Sequence, residues 1–166
     1  MRGAMNCYYS ESQRAEETML ARDIMTRDPI WVLPSDPIWQ AAEMMRYHGI
    51  GCTPVVADET SRRVVGLITD RDITIRCVAR KHGGNCRVAD HMTSTPIHAV
   101  VTSDDAARVM QKMEAARIRR VPVLSTDGSL TGIISQGDVL RHLGHRDPIA
   151  FERAMEHVYA GSTFVR

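Results

Sequence analysis

The sequence lacks an excess of charge of either sign, and it lacks long apolar runs. Its 21 lysine and arginine residues nearly balance its 20 aspartate and glutamate residues, and the net charge of +1 gives no electrostatic reason to expect binding to nucleic acid or to an anionic membrane. No apolar run approaches the ~20 residues that span a bilayer, and the N-terminus lacks the apolar stretch of a signal peptide. We therefore expect a cytoplasmic protein that contacts neither membrane nor nucleic acid.

Local motifs of catalysis and metal binding are also missing. The chain contains no G-x-S-x-G, no phosphate-binding P-loop, no H-E-x-x-H and no C-x-x-C. The four cysteines, Cys7, Cys52, Cys77 and Cys86, have neither the spacing of a zinc site nor that of a disulfide framework, so we expect reduced, structural thiols. These absences favour a protein that is not an enzyme and that requires no metal or cofactor.

What the sequence does contain is a tandem repeat. The matched pairs are ARDIMTRDPIWVL (21–33) with VADHMTSTPIHAV (88–100), IGCTPVV (50–56) with IRRVPVL (118–124), and VVGLITDRDI (64–73) with LTGIISQGDV (130–139). Three matched blocks in the same order indicate the duplication of a unit of about 55 to 65 residues. A unit of that size buries only about 60% of its unfolded surface, so we expect the two units to share a core.

Each unit is predicted to have the order β-α-β-β-α, which makes the chain an α/β protein of the mixed, α+β kind. The first strands are the short apolar runs 30–33 and 97–101. In the first unit, Asp36 is placed to cap the following helix and Gly49 to end it. Two strands joined by a polar turn then lead to a second helix. We expect the two units to pack sheet to sheet about a pseudo-two-fold axis.

The repeat also sets the expected domain boundaries. They are a partly helical N-terminal extension (1–19), a first repeat (20–82), a linker (83–87), a second repeat (88–143), and a C-terminal helix with a tail (144–166). The linker includes Gly-Gly-Asn, a composition typical of a connection between two units.

The matched corners Thr69-x-x-Asp72 and Ser135-x-x-Asp138 allow two interpretations. A hydroxyl residue followed three positions later by an acid is a variant of the helix capping box, with an ordinary stabilisation of about 1 kcal/mol. The alternative is a ligand site, because a helix N-terminus favours phosphate. A carboxylate one turn inside the helix can accept hydrogen bonds from both hydroxyls of a ribose. Two such corners in one shared cleft favour a ribose phosphate as ligand.

These corners resemble the nucleotide pattern of the cystathionine β-synthase (CBS) domain family. That pattern is a glycine, an aliphatic residue, any residue, Thr or Ser, two further residues and Asp, and residues 66–72 and 132–138 match it in full. The flanking DIMT, TPVV, RRVPV and TDRDI fit as well, and the resemblance covers residues 20–143. It implies a tandem CBS pair, or Bateman module, with potential adenosine-nucleotide sites between its repeats.

The resemblance also implies which side chains face a nucleotide. Asp72 and Asp138 would hold ribose hydroxyls, and Thr69 and Ser135 would lie at phosphate. Further residues are implied for both corners: Thr26, Trp31 and Ile50 opposite Ser135 and Asp138, and Thr93, His98 and Ile118 opposite Thr69 and Asp72. Arg119 and Arg120, which lie three and two positions before Pro122, would meet phosphates. The first repeat has Gly51 and Cys52 at those positions, so we expect two sites that are not equivalent.

Our functional expectation is a stand-alone regulatory module that binds AMP, ADP or ATP and signals by a change of conformation. It would act as a homodimer, on a regulated protein in trans. Two alternatives remain open from the residues. One is a ligand-free scaffold for protein interaction or stress response, whose corners are only helix caps. The other is a redox or metal sensor that uses Cys52 and the scattered histidines.

Overall fold

Two β-hairpins, one from each repeat, form the centre of the fold in the computed structural model, which describes residues 18–82 and 85–143. The hairpin strands are β2 (Cys52–Val56) with β3 (Val64–Thr69), and β5 (Arg120–Leu124) with β6 (Leu130–Ser135). Both pairs are antiparallel, and Cys52 lies opposite Thr69 as Arg120 lies opposite Ser135. In both hairpins the strand register shifts just before the turn, between Val55 and Val56 in the first and between Val123 and Leu124 in the second. The predicted repeat is therefore confirmed at the level of the backbone.

Helices and two short strands surround the hairpins. In chain order they are α1 (Ala21–Ile24), β1 (Thr26–Arg27), α2 (Ile38–His48), α3 (Asp70–Asp72), a π-helix (Ile73–Val78), a 3₁₀ turn (Val88–Asp90), β4 (Val100–Val101), α4 (Ala106–Ala116) and α5 (Gln136–Leu143). The sheets are β1-β6-β5-β4 and β2-β3. This confirms the mixed α+β class, whereas the π-helix after α3 was not predicted.

The ends of α2 show one confirmed and one wrong prediction. Gly49 ends the helix in the left-handed region, with φ 64° and ψ 30°, where glycine has no steric penalty. Asp36 does not cap the helix, because Pro37 occupies the N-cap position. The Asp36 carboxylate instead accepts a hydrogen bond from the Leu33 backbone N–H at 2.8 Å and closes the turn that leads into the helix.

The predicted first strand of the first repeat is reduced to a single bridge. Val32 pairs with Val55 through backbone hydrogen bonds to Pro54 and Val56, each 3.0 Å long. Pro29 and Pro34 lie close on either side and lack the N–H groups that a longer ladder needs. In the second repeat the equivalent run does form the short strand β4, parallel to β5.

The segment that leads into each repeat crosses to the sheet of the other repeat. Thr26 in β1 pairs with Ile133 in β6, and Thr93 pairs with Leu67 in β3 through backbone hydrogen bonds of 2.8 and 2.9 Å. The two crossings occupy equivalent positions in the repeat. They give the pseudo-two-fold relationship a physical basis, because each sheet is completed by the other half of the chain.

These crossings explain the glycine that opens each of the two repeated motifs, 66–72 and 132–138. A Cβ atom on Gly66 would lie 2.9 Å from the Thr93 carbonyl oxygen, closer than such contacts occur. A Cβ atom on Gly132 would collide in the same way with Met25, whose Cγ would be 2.8 Å away. Gly66 is required because the incoming backbone packs directly on the strand, whereas a larger residue in place of Gly132 would force the Met25 side chain to move.

Three groups of buried apolar side chains hold the fold together. The core of the first repeat contains Val32, Ile38, Ala41, Met45, Val55, Ile68, Cys77 and Val88. The core of the second repeat contains Ala21, Ile24, Val100, Ala106, Val109, Met110, Met113, Val121, Val123, Ile134 and Val139. Ala21 and Val88 therefore each pack in the core of the opposite repeat. This exchange supports the expectation that neither repeat is stable alone.

The third group joins the two sheets. Val56 and Val64 of the first hairpin pack with Leu130 of the second, with Trp31 and Ile97 at the edges. The Leu130 N–H also donates to the Arg62 carbonyl at 3.0 Å. The hairpins therefore meet at their turn ends, and their opposite ends, which carry the Thr/Ser-Asp corners, border the space between the repeats.

Three predicted features fall wholly or partly outside the described residues: the N-terminal extension (1–17 of it), the linker (Gly83 and Gly84) and the C-terminal helix with its tail (144–166). Within the residues described, none of the helices combines the length and the apolar character that crossing a membrane requires.

Candidate functional site

Both predicted corners are reciprocal capping boxes. The Ser135 hydroxyl donates to Asp138 Oδ2 at 2.6 Å, the Ser135 N–H donates to the same oxygen at 2.8 Å, and the Asp138 N–H donates back to the hydroxyl at 3.2 Å. Thr69 and Asp72 repeat these contacts at 2.6, 3.0 and 3.1 Å. Each carboxylate therefore uses its Oδ2 atom in the cap, and its Oδ1 atom remains available to a neighbouring side chain or a ligand.

A cavity of about 440 Å³ opens at the Ser135/Asp138 corner. Its size is within the range of small-molecule sites. Residues of both repeats line it: Thr26, Asp28, Pro29, Ile30, His48, Gly49, Ile50, Gly51 and Cys52 from the first, and Arg120, Ile133, Ser135 and Asp138 from the second. The two halves of the chain therefore share one pocket.

Five of the predicted residues meet in this pocket: Thr26, Ile50, Arg120, Ser135 and Asp138. The lining combines apolar side chains with a few polar ones. A carboxylate and a guanidinium lie near a helix N-terminus, which is the set of groups that a sugar phosphate requires.

Trp31 does not line this pocket. Its ring packs with the residues that join the two sheets, and the Arg62 guanidinium lies 5.9 Å from the ring centroid. Neighbouring side chains along extended backbone point to opposite faces, so Ile30 lines the pocket and Trp31 packs, half-buried, against the residues that join the two sheets. The side chain that lines the cavity is therefore that of Ile30, the neighbour of the residue that the resemblance implied.

Arg119 is also outside the pocket. Its side chain is exposed, and its carbonyl accepts a hydrogen bond from the Gln136 N–H at 2.8 Å, at the start of α5. The alternation along the chain again explains the difference, since the adjacent Arg120 lines the pocket. Of the two predicted phosphate-binding arginines, the structure brings only Arg120 to the cavity.

Gly51 makes room for the Asp70 side chain and lies next to Arg120. A Cβ atom on Gly51 would lie 3.7 Å from Arg120 Nη2 and 2.9 Å from Asp70 Oδ2. Among the described residues Arg120 forms no ion pair within 4.0 Å, although it is half-buried. A guanidinium that borders a cavity without a paired carboxylate is suited to an anionic ligand.

Several lining residues were not predicted, among them Asp28, Ile30, His48 and Ile133. Asp28 and Ile30 follow Thr26 closely in the chain, and His48 ends α2 just before Ile50. Their proximity to predicted residues was the available signal, but none of them belongs to a motif, and their orientation depends on how β1 crosses to β6.

Cys52 lies at the pocket wall as a neutral thiol. Burial raises its pKa to about 11, and the positive charge of Arg120 only partly offsets this effect. A thiol that is neutral at physiological pH is a weak nucleophile and a weak metal ligand. Among the residues described, Cys52 also belongs to no group of three metal-ligating side chains. The geometry therefore gives no support to a redox or metal sensor centred on Cys52.

The Thr69/Asp72 corner is closed by an arginine of its own repeat. Arg76 Nη2 lies 3.4 Å from Asp72 Oδ1, and Nη1 donates to the His91 carbonyl at 2.8 Å and to Thr93 Oγ1 at 3.3 Å. The same guanidinium thus occupies the free carboxylate oxygen and the hydroxyl of Thr93, which were both predicted to face a ligand. The two corners are chemically different.

The remaining predicted residues of this corner are less closely associated with it. Ile118 packs against the core of the second repeat. His98 is half-buried, and within the described part of the chain it has no hydrogen bond or ion pair to Thr69 or Asp72.

Comparison with known proteins places these features in a family. Residues 21–78 and 88–145 each match the model of the CBS domain. Hypoxic response protein 1 of Mycobacterium tuberculosis (strain CDC 1551 / Oshkosh) is 33% identical over 135 residues, which are 81% of this chain and 92% of that protein. The crystal structure of Hypoxic Response Protein I with two coordinated zinc ions aligns with a TM-score of 0.67 and 32% identity, over 75% of this chain and 99% of that one.

Two further solved structures hold adenosine compounds. The CBS domain pair of protein MJ0100, in complex with 5′-methylthioadenosine and S-adenosyl-L-methionine, has a TM-score of 0.69 and 27% identity, over 78% of this chain and 99% of that one. CBSX2 in complex with AMP has a TM-score of 0.64 and 27% identity, over 76% and 97% of the two chains. The two matched segments, the shared fold and the paired corners show that the chain belongs to the CBS domain family and carries a tandem pair of these domains.

Proposed function

We propose that the chain is a regulatory module that binds an adenosine nucleotide in the pocket at the Ser135/Asp138 corner. The observation that carries this proposal is the cavity of about 440 Å³ in which Asp138 and Arg120 of the second repeat face Thr26 and Ile50 of the first. Two CBS pairs of similar fold bind compounds of this class, namely AMP in CBSX2 and two adenosyl compounds in MJ0100.

Each polar group has a role that matches its position. Asp138 Oδ1 accepts hydrogen bonds from the ribose hydroxyls, because Oδ2 is already engaged in the cap. The Ser135 hydroxyl turns from Asp138 to a phosphate oxygen, while the Ser135 N–H keeps its 2.8 Å bond to the carboxylate. Arg120 pairs with the phosphate. Ile30, Ile50 and Ile133 give the base an apolar wall.

The charges around the pocket favour a ligand with few phosphates. Arg120 is the one permanently cationic side chain of the lining, and Asp28 and Asp138 are carboxylates. A single arginine can neutralise one phosphate, but each additional phosphate would approach these carboxylates without a cation of its own. We therefore expect AMP to bind more tightly than ADP, and ADP more tightly than ATP.

The position of the pocket provides a mechanism of signalling. A ligand that contacts both repeats favours the arrangement of the repeats in which both sets of contacts form at once. It shifts the equilibrium between this conformation and the ligand-free one by the difference in its affinity for the two. The regulated element would be a protein bound in trans.

We also propose that the chain acts as a homodimer through its helices. Trp39 and Tyr47, two turns apart on α2, are 55% and 78% exposed, and Val78 of the π-helix is 64% exposed. Large apolar side chains exposed on neighbouring helical segments are typical of an interface. Light scattering of the full chain should give the mass of a dimer, and Trp39→Lys should shift that mass towards a monomer. A monomeric mass at all concentrations would contradict the proposal.

Isothermal titration calorimetry, which measures the dissociation constant of AMP for the full chain, tests the nucleotide site. Asp138→Asn removes the charged acceptor, and the dissociation constant should rise about 10- to 100-fold, the range expected for a hydrogen bond to a charged group. Asp72→Asn is the matched control, because it makes the same change in the corner that Arg76 closes, and it should leave AMP binding unchanged. Absence of binding by AMP, ADP, ATP and S-adenosylmethionine would overturn the proposal.

A further inference from the structure

A second group of chemically reactive side chains lies outside the nucleotide pocket. Cys77 lies near the end of the π-helix in the first repeat, Cys86 lies in the linker, and His91 follows the 3₁₀ turn. The two sulfur atoms and a ring nitrogen of His91 all lie within 4.8 Å of one another. None of the three residues lines the pocket.

The His91 ring has a polar atom without a partner. His91 is 4% exposed, and its Nε2 atom is buried with no hydrogen bond. Buried polar atoms in native proteins nearly always have a partner, so an orphaned nitrogen in a ring that approaches two thiols requires an explanation. A metal ion bound by the two sulfurs and by His91 through Nε2 would supply the missing interaction.

His82 is placed to complete such a group. Its ring centroid lies 5.4 Å from that of His91, and its backbone N–H donates to the Cys77 carbonyl at 3.1 Å, which holds the start of the linker against the π-helix. The side chain is exposed and can turn towards the sulfurs. The four residues form the sequence pattern C-x4-H-x3-C-x4-H, which contains the ligands of a Cys₂His₂ site.

We propose that Cys77, Cys86 and His91 bind a zinc ion, with His82 as the fourth ligand. Zinc bonds of about 2.3 Å to sulfur and about 2.0 Å to nitrogen place tetrahedral ligands roughly 3.3 to 3.8 Å apart. The cluster, whose three atoms lie within 4.8 Å, reaches that geometry if each side chain moves by less than about 1 Å.

Charge also favours this assignment. Two thiolates, two neutral imidazoles and Zn²⁺ sum to zero, so the bound site adds no net charge to the core of the first repeat. This neutrality matters because Arg76, which donates to the His91 carbonyl, and Arg80 both lie close by and would oppose a site with a net positive charge.

The ion would act as a staple between the two repeats. It would tie the linker at Cys86 to the last helical turn of the first repeat at Cys77. Arg76 precedes Cys77 and donates to the His91 carbonyl, so the same ion would hold the arginine that closes the Thr69/Asp72 corner. This role is structural and is independent of nucleotide binding at the other corner.

Metal analysis of the full chain, purified from zinc-supplemented cells without chelator, tests the site directly. We expect about one zinc per chain in the wild type. The same content is expected in Cys52→Ser, which alters a buried cysteine outside the cluster. Cys77→Ser, Cys86→Ser and His91→Asn should each lose most of the metal. Equal loss in Cys52→Ser would overturn the assignment, because it would indicate a general effect on folding.

Cobalt substitution provides a test that does not depend on the variants. Apo wild-type chain titrated with Co²⁺ should develop a thiolate-to-metal charge-transfer band and the intense visible bands of a tetrahedral site. Competition with a chromophoric chelator should then show weaker binding in His82→Ala, and unchanged affinity in that variant would overturn the choice of fourth ligand. Wild-type protein that contains no zinc and takes up no cobalt, or that carries a Cys77–Cys86 disulfide when freshly purified, would overturn the site as a whole.

Discussion

Arg76 Nη2 lies 3.4 Å from Asp72 Oδ1, and this ion pair makes the first corner of the tandem repeat chemically different from the second. The residue at the equivalent position in the second repeat is His142, whose Nδ1 lies 2.8 Å from the Asp138 carbonyl oxygen and does not reach the carboxylate. Asp138 Oδ1 instead has the largely exposed Arg141 at 3.6 Å. One substitution within a duplicated motif thus leaves Asp138 with an exposed arginine partner at the border of a cavity, whereas Arg76 is held over Asp72 by its bonds to the His91 carbonyl and Thr93 Oγ1.

Removal of the Arg76 side chain should create a second nucleotide site. Arg76→Ala frees Asp72 Oδ1 and the Thr93 hydroxyl and should open a small-molecule pocket there, so isothermal titration calorimetry with AMP should change from about one to about two ligands per chain. Arg71→Ala is the control, because Arg71 is exposed and its side chain has no hydrogen bond or ion pair among the described residues. An unchanged stoichiometry in a folded Arg76→Ala protein would show that this corner lacks a binding site of its own.

Substitution of Arg120 should separate phosphate binding from nucleoside binding. Arg120→Ala should weaken the binding of AMP about 10- to 100-fold, the range for the loss of a hydrogen bond to a charged group, and should leave the binding of adenosine nearly unchanged. Arg120→Lys should recover part of the loss, since lysine keeps the charge but not the forked geometry. Arg119→Ala provides the control for charge alone. If Arg120→Ala weakens AMP and adenosine equally, the arginine shapes the pocket and does not bind phosphate.

Substitution of the two hydroxyl residues should have the same effect on the free energy of unfolding but different effects on AMP binding. Thr69→Ala and Ser135→Ala each remove one half of a capping box, and each should lower the free energy of unfolding by about 1 kcal/mol. Only Ser135→Ala should also weaken AMP, because the Thr69 corner is closed. Chemical denaturation and titration of the same two samples give both quantities. A loss of AMP affinity in both variants would mean that the caps act on the pocket through the fold.

The repeat made much of the fold predictable from the sequence. Gly49, the two hairpins and the hydroxyl N-caps depend on local chemistry, and the structure confirms them. The crossing of β1 to β6 depends on contacts between residues that are about a hundred positions apart, and no local pattern carries that information. The exchange of Ala21 and Val88 between the cores follows from this crossing and from the equivalent crossing of Thr93 to Leu67.

The site shows the same limit at the level of single side chains. Ser135, Asp138 and Arg120 follow from motifs, whereas the choice between Ile30 and Trp31 depends on the direction in which irregular backbone turns its side chains. Arg76 carried no signal in the sequence, because a helix position four residues after an acid is usually a solvent-exposed ion pair. Its effect on the corner arises from Thr93, which only the fold brings near.

Cys52 should make the stability of the protein depend on pH in the alkaline range. Burial raises the pKa of its thiol from the ordinary value of 9.0 to about 11, and the residue is 5% exposed. The unfolded thiol loses its proton first, so this contribution to stability is fully present below pH 9.0 and is lost as the pH rises towards 11. The loss should amount to about 2 to 3 kcal/mol.

Cys52→Ala tests this effect, because the variant should have a shallower fall in unfolding free energy between those two pH values. At pH 8, alkylation of Cys52 in the folded chain, followed by peptide mass spectrometry, should be roughly a hundredfold slower than in the denatured chain, since the thiolate is the reactive form. Rapid alkylation of the native protein would indicate that Arg120, at the same wall of the pocket, stabilises the thiolate more than burial disfavours it.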